Sequence, residues 1–230
     1  MHQAQALREG GIKVGVISAG VISPRFVLRG YPYTKQECVR GIQVLRSYER
    51  KYMLQRNAHP SRVVETQVRL GLDLYRRYER RFGRPDVVHA HDVLRSASIA
   101  RALQDSEGIP YGVTEHSSVF AMGGLSGEAV GVARECLRGA AFITAVSQAL
   151  GRWVQRALDH RGLRVGVLPN VLDPDFQCHQ PLLRARADSA TFLSVGSLDC
   201  NKDHGTLLIA FAAQFGGGSS RLRIAGTGPL

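Results

Sequence analysis

The chain has 230 residues, enough to bury a sizeable core as one large domain or two small ones. Its hydrophobic fraction of 44% is ordinary for a globular protein, and no run approaches the roughly 20 apolar residues needed to cross a bilayer. Thirty Lys+Arg against nineteen Asp+Glu give +11, which favours anionic partners; with no aromatic-rich recognition strand and no zinc-finger spacing, nucleic acid is not an expected one. No basic segment leads into an apolar one after Met1, so the expected compartment is the cytoplasm. Cys38, Cys136, Cys178 and Cys200 are far apart, form no C-x-x-C pair and read as small apolar fillers or chance surface residues rather than zinc ligands or redox thiols.

In chain order, Ala4 to Glu9 reads as the tail of a helix closed by Gly10-Gly11. Ile12 to Ser18 fits a buried strand, and Ile42 to Leu45 a second. From Arg62 to Phe82, apolar residues recur at Val64, Val68, Leu72, Tyr75, Tyr78 and Phe82, spacings that make one helix face. Gly83 stops this helix and Pro85 blocks its return. Arg76, Arg77, Arg80, Arg81 and Arg84 crowd it, as a solvated face or as peripheral contact with an anionic membrane. Asp86 to His91, Tyr111 to His116, Ala141 to Ser147 and Val165 to Pro169 are further strands. Ser147 can cap a helix carrying Leu150, Val154 and Leu158 on one side.

Val171 to Asp188, punctuated by Pro174 and Pro181, reads as a linker, here bounded at 173–189. It separates a unit over 1–172 from the start of another over 190–230. The second unit holds strand Thr191 to Gly196, then a helix capped by Asp203 with Leu207, Leu208, Phe211 and Phe215 inward. A loop at Gly216 to Ser220 and strand Leu222 to Gly226 follow. Strands alternating with helices indicate an α/β fold of two Rossmann-like units with mainly parallel sheets. Such units usually open with a strand and continue past a glycine turn. The expectation is therefore a chain incomplete at both ends, with its first strand missing and its second unit only begun.

The motifs in order resemble family 4 glycosyltransferases: Pro85-Asp86-Val87-Val88-His89-Ala90-His91, Thr114-Glu115-His116, Ala145-Val146-Ser147, Val167-Leu168-Pro169-Asn170, Phe192 to Leu198, Lys202, and Ile224 to Pro229. The resemblance implies the GT-B fold, two Rossmann-like domains facing a cleft. It implies sugar transfer from a nucleotide diphosphate sugar, with retained anomeric configuration, to a glycan or lipid-linked acceptor of the cell envelope. That donor is a substrate, and no cofactor is expected.

By the resemblance His116 is the catalytic residue, at the carboxyl edge of its strand where open α/β sheets bind ligands. Ser117 and Ser118 would add hydroxyl contacts, and Glu115, His89 and His91 would line the acceptor side. His89 and His91 alternate to one face, but no third ligand stands at metal-binding spacing, so no metal is expected. Lys202 would meet the diphosphate, with Gly196, Ser197, Gly226 and Gly228 shaping the donor site. The stretches Pro24 to Tyr33 and Phe120 to Gly127 would decide the acceptor. Three departures stand out: Ser197 replaces a usual arginine, the glycine loop of the first strand has no counterpart, and the donor-domain E-x7-E motif would lie beyond Leu230. Glu107 and Glu115 share that spacing by coincidence. Little or no turnover is expected from this chain alone. The alternatives are a degenerate homologue binding anionic lipid or nucleic acid, and a nucleotide-sugar epimerase.

Overall fold

The computed structural model describes residues 2–22, 34–50, 60–120, 122–159, 162–173, 176 and 190–229. The acceptor stretch 24–33, Cys178 and most of the expected linker lie outside these residues. The chain divides into two compact units, Met1–Pro174 and Asp175–Leu230.

The first unit opens with α1 (His2–Glu9), closed by Gly11 at φ 85°. A three-stranded sheet follows, with β1 (Gly15–Ile22), β2 (Thr34–Val39) and β3 (Ile42–Arg50) in the order β1-β3-β2. β1 runs parallel to β3, whereas β2 runs antiparallel to it. β2 was not legible, because four of its six residues are polar or charged and no apolar run marks it. Arg40 and Gly41 form its two-residue hairpin with φ of 51° and 78°, the left-handed pair of a type I′ turn. The Arg8 guanidinium donates to the Arg40 carbonyl at 2.8 Å and ties α1 to that turn.

Helix α2 (Pro60–Phe82) ends at Gly83, whose φ of 92° suits only glycine at low cost. Leu74 and Tyr75 are buried on its inner stripe. It packs on β1 and β3 on one side and on α3 (Arg95–Glu107) on the other. Gly71 makes that helix contact close, since a Cβ there would meet Ile99 at 2.5 Å. Tyr75, Leu103 and Ile109, with Ile17 and Val88 against them, form the apolar seam of this region.

The main sheet is wholly parallel: β4 (Val88–His91), β5 (Tyr111–Glu115), β6 (Phe142–Ala145) and β7 (Gly166–Val167), in that order. Its core face is carried by Ala90, Val113 and Ala145, packed with Ala97, Ala100, Ala133, Leu137 and Val154 from α3, α4 (Gly127–Arg138) and α5 (Gln148–Ala157). Ser126 caps α4 through Ala129 N–H and Ser147 caps α5 through Leu150 N–H. α3 and α4 bury mostly small residues, Ala97, Ser98, Ala100, Ala133 and Cys136, which weakens the apolar signal that marks a helix in sequence.

In the second unit β8 (Thr191–Val195) pairs in parallel with β9 (Arg221–Ala225), joined by α6 (His204–Phe215). Phe192, Phe211 and Phe215 meet with ring centroids 4.9–5.6 Å apart. Leu207, Phe211 and Phe215 follow one stripe, but Leu208 is 53% exposed and does not face inward. The inward stripe advances by four residues per step, and Leu208 falls just off it. Among the described residues of this unit only His204 is buried. Protection follows burial, so native-state hydrogen exchange should find the β8 and β9 amides exchanging faster than those of β4–β6; equal protection would contradict this.

Candidate functional site

The parallel register sets the site. His89 pairs with Gly112 and Gly112 with Phe142; His91 pairs with Thr114 and Thr114 with Thr144. Side chains alternate along strands, so these six positions share the face opposite Ala90, Val113 and Ala145. Gly112 is the gap in that face. A Cβ there would lie 2.0 Å from the Phe142 ring, and its absence lets Phe142 meet His89 edge-on at 5.4 Å.

A hydroxyl ladder orients His89. Thr144 Oγ1 donates to the Val113 carbonyl at 3.3 Å. Its one proton is then used, so it accepts from Thr114 Oγ1 at 2.7 Å, and Thr114 accepts from His89 Nε2–H at 2.7 Å. His89 is held below the ordinary histidine range, first by desolvation and then by the His116 imidazole. His91 stacks on His89 with centroids 4.4 Å apart and reaches His116, where Nδ1 and Nε2 lie 2.9 Å apart. Desolvation of its ring, then His89 and His116, push His91 down to about 4. His116 itself is exposed, in the first position past β5.

Two carboxylates, Glu115 and Asp92, hold this edge. Glu115 is 2% exposed. Its Oε2 accepts from Val93 N–H at 2.9 Å and its Oε1 from His116 N–H at 2.8 Å and from Ser117 N–H. It therefore clamps the loop after β4 to the loop after β5. Asp92 has φ 127°, a strained value for a residue with a Cβ that costs about 1–3 kcal/mol. Its carboxylate accepts from the Leu94, Arg95 and Ser96 amides at the start of α3, and its own amide donates to the Thr114 carbonyl. These bonds offset the strain. Ser117 Oγ accepts from Val119 N–H, and Ser118 opens a short 3-10 turn to Phe120. The sequence reading missed Asp92, although an aspartate three residues before a helical run can accept from the orphan amides of its first turn.

In the second unit the residues expected at the donor site gather on the carboxyl side of β8. Ser197 Oγ donates to Asp199 Oδ2 at 2.5 Å, and the Asn201 and Lys202 amides donate to Asp199 Oδ1. The Ser197 hydroxyl first, then those amides, hold Asp199 below the usual carboxylate range. Lys202 is exposed beside Gly196. Asp203 caps α6 from a left-handed φ of 47°. His204 is buried with Nε2 3.1 Å from the Ser197 carbonyl and Nδ1 without a partner. A Cβ on Gly226 would lie 1.8 Å from the Gly196 carbonyl oxygen, and one on Gly228 2.0 Å from that of Leu198. The close approach that these glycines permit is thus of backbone to backbone, continued by Gly196 N–H to Ala225 O and Leu198 N–H to Thr227 O. Asp199 and His204 were not singled out in the sequence.

Among the described residues no group of three or more His, Cys, Asp or Glu is arranged to hold a metal ion, and no helix is long and apolar enough to cross a membrane. Two outcomes follow from the geometry. Glu115→Gln puts an N–H₂ where a carboxylate oxygen now accepts, and should lower stability in urea unfolding by about 1–3 kcal/mol. Because His91 binds a proton near 6.5 when unfolded and near 4 when folded, protons favour the unfolded chain in between. Thermal stability should fall from about pH 6.5 to about pH 4, and His91→Phe should flatten that slope.

Residues 1–176 match the family Glycosyltransferase Family 4. No curated protein matches the sequence. Among solved structures the fold resembles "OtsA apo structure", with TM-score 0.54 and 13% identity, covering 91% of this chain and 64% of that one. A more distant likeness is to UDP-GlcNAc 2-epimerase from Neisseria meningitidis bound to UDP-GlcNAc, with TM-score 0.42 and 10% identity over 92% of this chain and 66% of that one. The chain spans less than two thirds of the length of either. A match over three quarters of the chain, on a parallel α/β fold with histidines at its sheet edge, makes this protein a member of glycosyltransferase family 4 with a GT-B-type fold.

Proposed function

We propose that the chain serves transfer of a sugar from a nucleotide diphosphate donor to a glycan or lipid-linked acceptor, with retained configuration. The observation that carries this reading is His116, exposed at the carboxyl edge of a parallel sheet on a loop that Glu115 makes rigid. A sugar transferase must orient hydroxyl groups around the anomeric carbon, and a pre-set imidazole does so without reorganising. His116 contacts the reacting sugar; Ser117 and Ser118 add hydroxyls beside it, and His89 and His91 support it from the strand.

The departing nucleotide diphosphate gains negative charge, which fixed cations and amide dipoles must meet. Lys202 supplies the cation, on a turn that Asp199 holds by accepting two of its amides. Ser197 hydrogen-bonds Asp199 and braces that turn. Gly196, Gly226 and Gly228 let the two strand ends of the donor unit lie side by side. No resident cofactor or metal enters this scheme. The exposed arginines Arg76, Arg77, Arg80 and Arg81 of α2, and Arg84 just past its end, would rest on anionic headgroups at the cytoplasmic face of a membrane and bring a lipid-linked acceptor near.

Calorimetric titration with nucleoside diphosphates tests the donor half. Lys202→Ala should weaken binding about tenfold or more, the loss of one hydrogen bond to a charged group. His116→Ala should leave nucleotide affinity intact and abolish sugar transfer in any preparation that shows it. Absence of affinity for every nucleoside diphosphate and nucleotide sugar tried would sink this reading.

A further inference from the structure

The imidazole pair at the β4–β5 edge has a consequence for the chemistry of His116. His91 Nδ1 and His116 Nε2 lie 2.9 Å apart, with their rings tilted by 37°. Two nitrogens at that distance hold one proton between them, since two lone pairs repel and two N–H groups collide. His91 cannot easily turn away. His89 stacks on it, and the backbone beside it is fixed by the strained Asp92, anchored to Thr114 and to the start of α3. His116 is anchored through its amide on Glu115. The partner is thus set by one strand and the exposed ring by the next.

On the reading that His116 meets the substrate, we propose that His91 is a positioning residue that fixes the tautomer of His116: Nε2–H of His116 donates to Nδ1 of His91. The direction follows from imidazole chemistry, because the Nε2–H form is the commoner neutral tautomer and this arrangement gives it to both rings. His116 is then left with a bare lone pair on Nδ1. A lone pair accepts a hydrogen bond and repels an anion. The group that meets His116 is therefore a sugar or acceptor hydroxyl, and not a phosphate oxygen. His91 and His116 divide the work: one chooses the proton's place, the other presents the free nitrogen.

Nitrogen-15 NMR of the histidine-labelled chain near pH 7 tests this directly. The expected result is a protonated Nε2 and a bare Nδ1 on His116, with scalar coupling to His91 Nδ1 across the hydrogen bond. His91→Phe keeps a ring of similar breadth without a nitrogen. It should erase the coupling and leave His116 a mixture of tautomers, while an unchanged far-UV circular dichroism spectrum and a cooperative thermal transition report an intact fold. A His116 protonated at Nδ1, no coupling in the wild-type chain, or an unmoved tautomer in His91→Phe would each overturn the assignment. If His91→Phe does not fold, His91→Leu, which also lacks any hydrogen-bonding atom, is read in the same way, and the wild-type spectrum decides by itself on the first two points. Failure of the transferase reading shows elsewhere, as absent nucleotide affinity beside an ordered His116 tautomer.

Discussion

The carboxylate of Glu115 is the interaction on which the site depends. An ionised group this deeply placed is tolerated only when its oxygens are met by donors. Here three backbone amides from two loops meet it. The same need that the charge imposes, to be surrounded, draws the ends of β4 and β5 together. Asp92 acts in the same way one residue after His91, spending its carboxylate on the start of α3. Neither acid has to touch a substrate to matter. They set the backbone from which three imidazoles project on the other face of the sheet.

Much of this was legible from residue order. Parallel strands with both faces covered are apolar runs, and β4, β5, β6 and β8 were placed from such runs to within a few residues. α2 declared itself through its apolar spacing and its terminal Gly83. Ser147 and Asp203 were recognisable as caps. The placement of His89 and His91 on one face follows from alternation alone, and the contact between their rings agrees with it.

What escaped the sequence did so for physical reasons. β2 is an edge strand whose residues face solvent, so nothing in its pattern reports burial. α3 and α4 fill the core mostly with small residues such as Ala97, Ala100 and Ala133, and small residues give little periodic signal. The pairing of His91 with His116 joins residues 25 apart through strand register, which is invisible until β4 is known to lie beside β5. The glycines near the end of the chain fit a ligand-binding turn and a close backbone crossing equally well by composition. Only the distance from a built Cβ to the Gly196 and Leu198 carbonyls reveals the crossing.

The edge strand β2 has a consequence for the behaviour of the protein in solution. Its partner β3 occupies one rim, and among the described residues the other rim is unpaired. Such a rim can recruit a strand from a neighbouring molecule and seed aggregation. Lys35 and Glu37 stand on it as an ion pair, with Arg46 joining from β3. Stacking two copies edge to edge would bring these charges together and strip them of water. The polar composition that hid the strand in the sequence thus also makes edge-to-edge pairing of two copies costly.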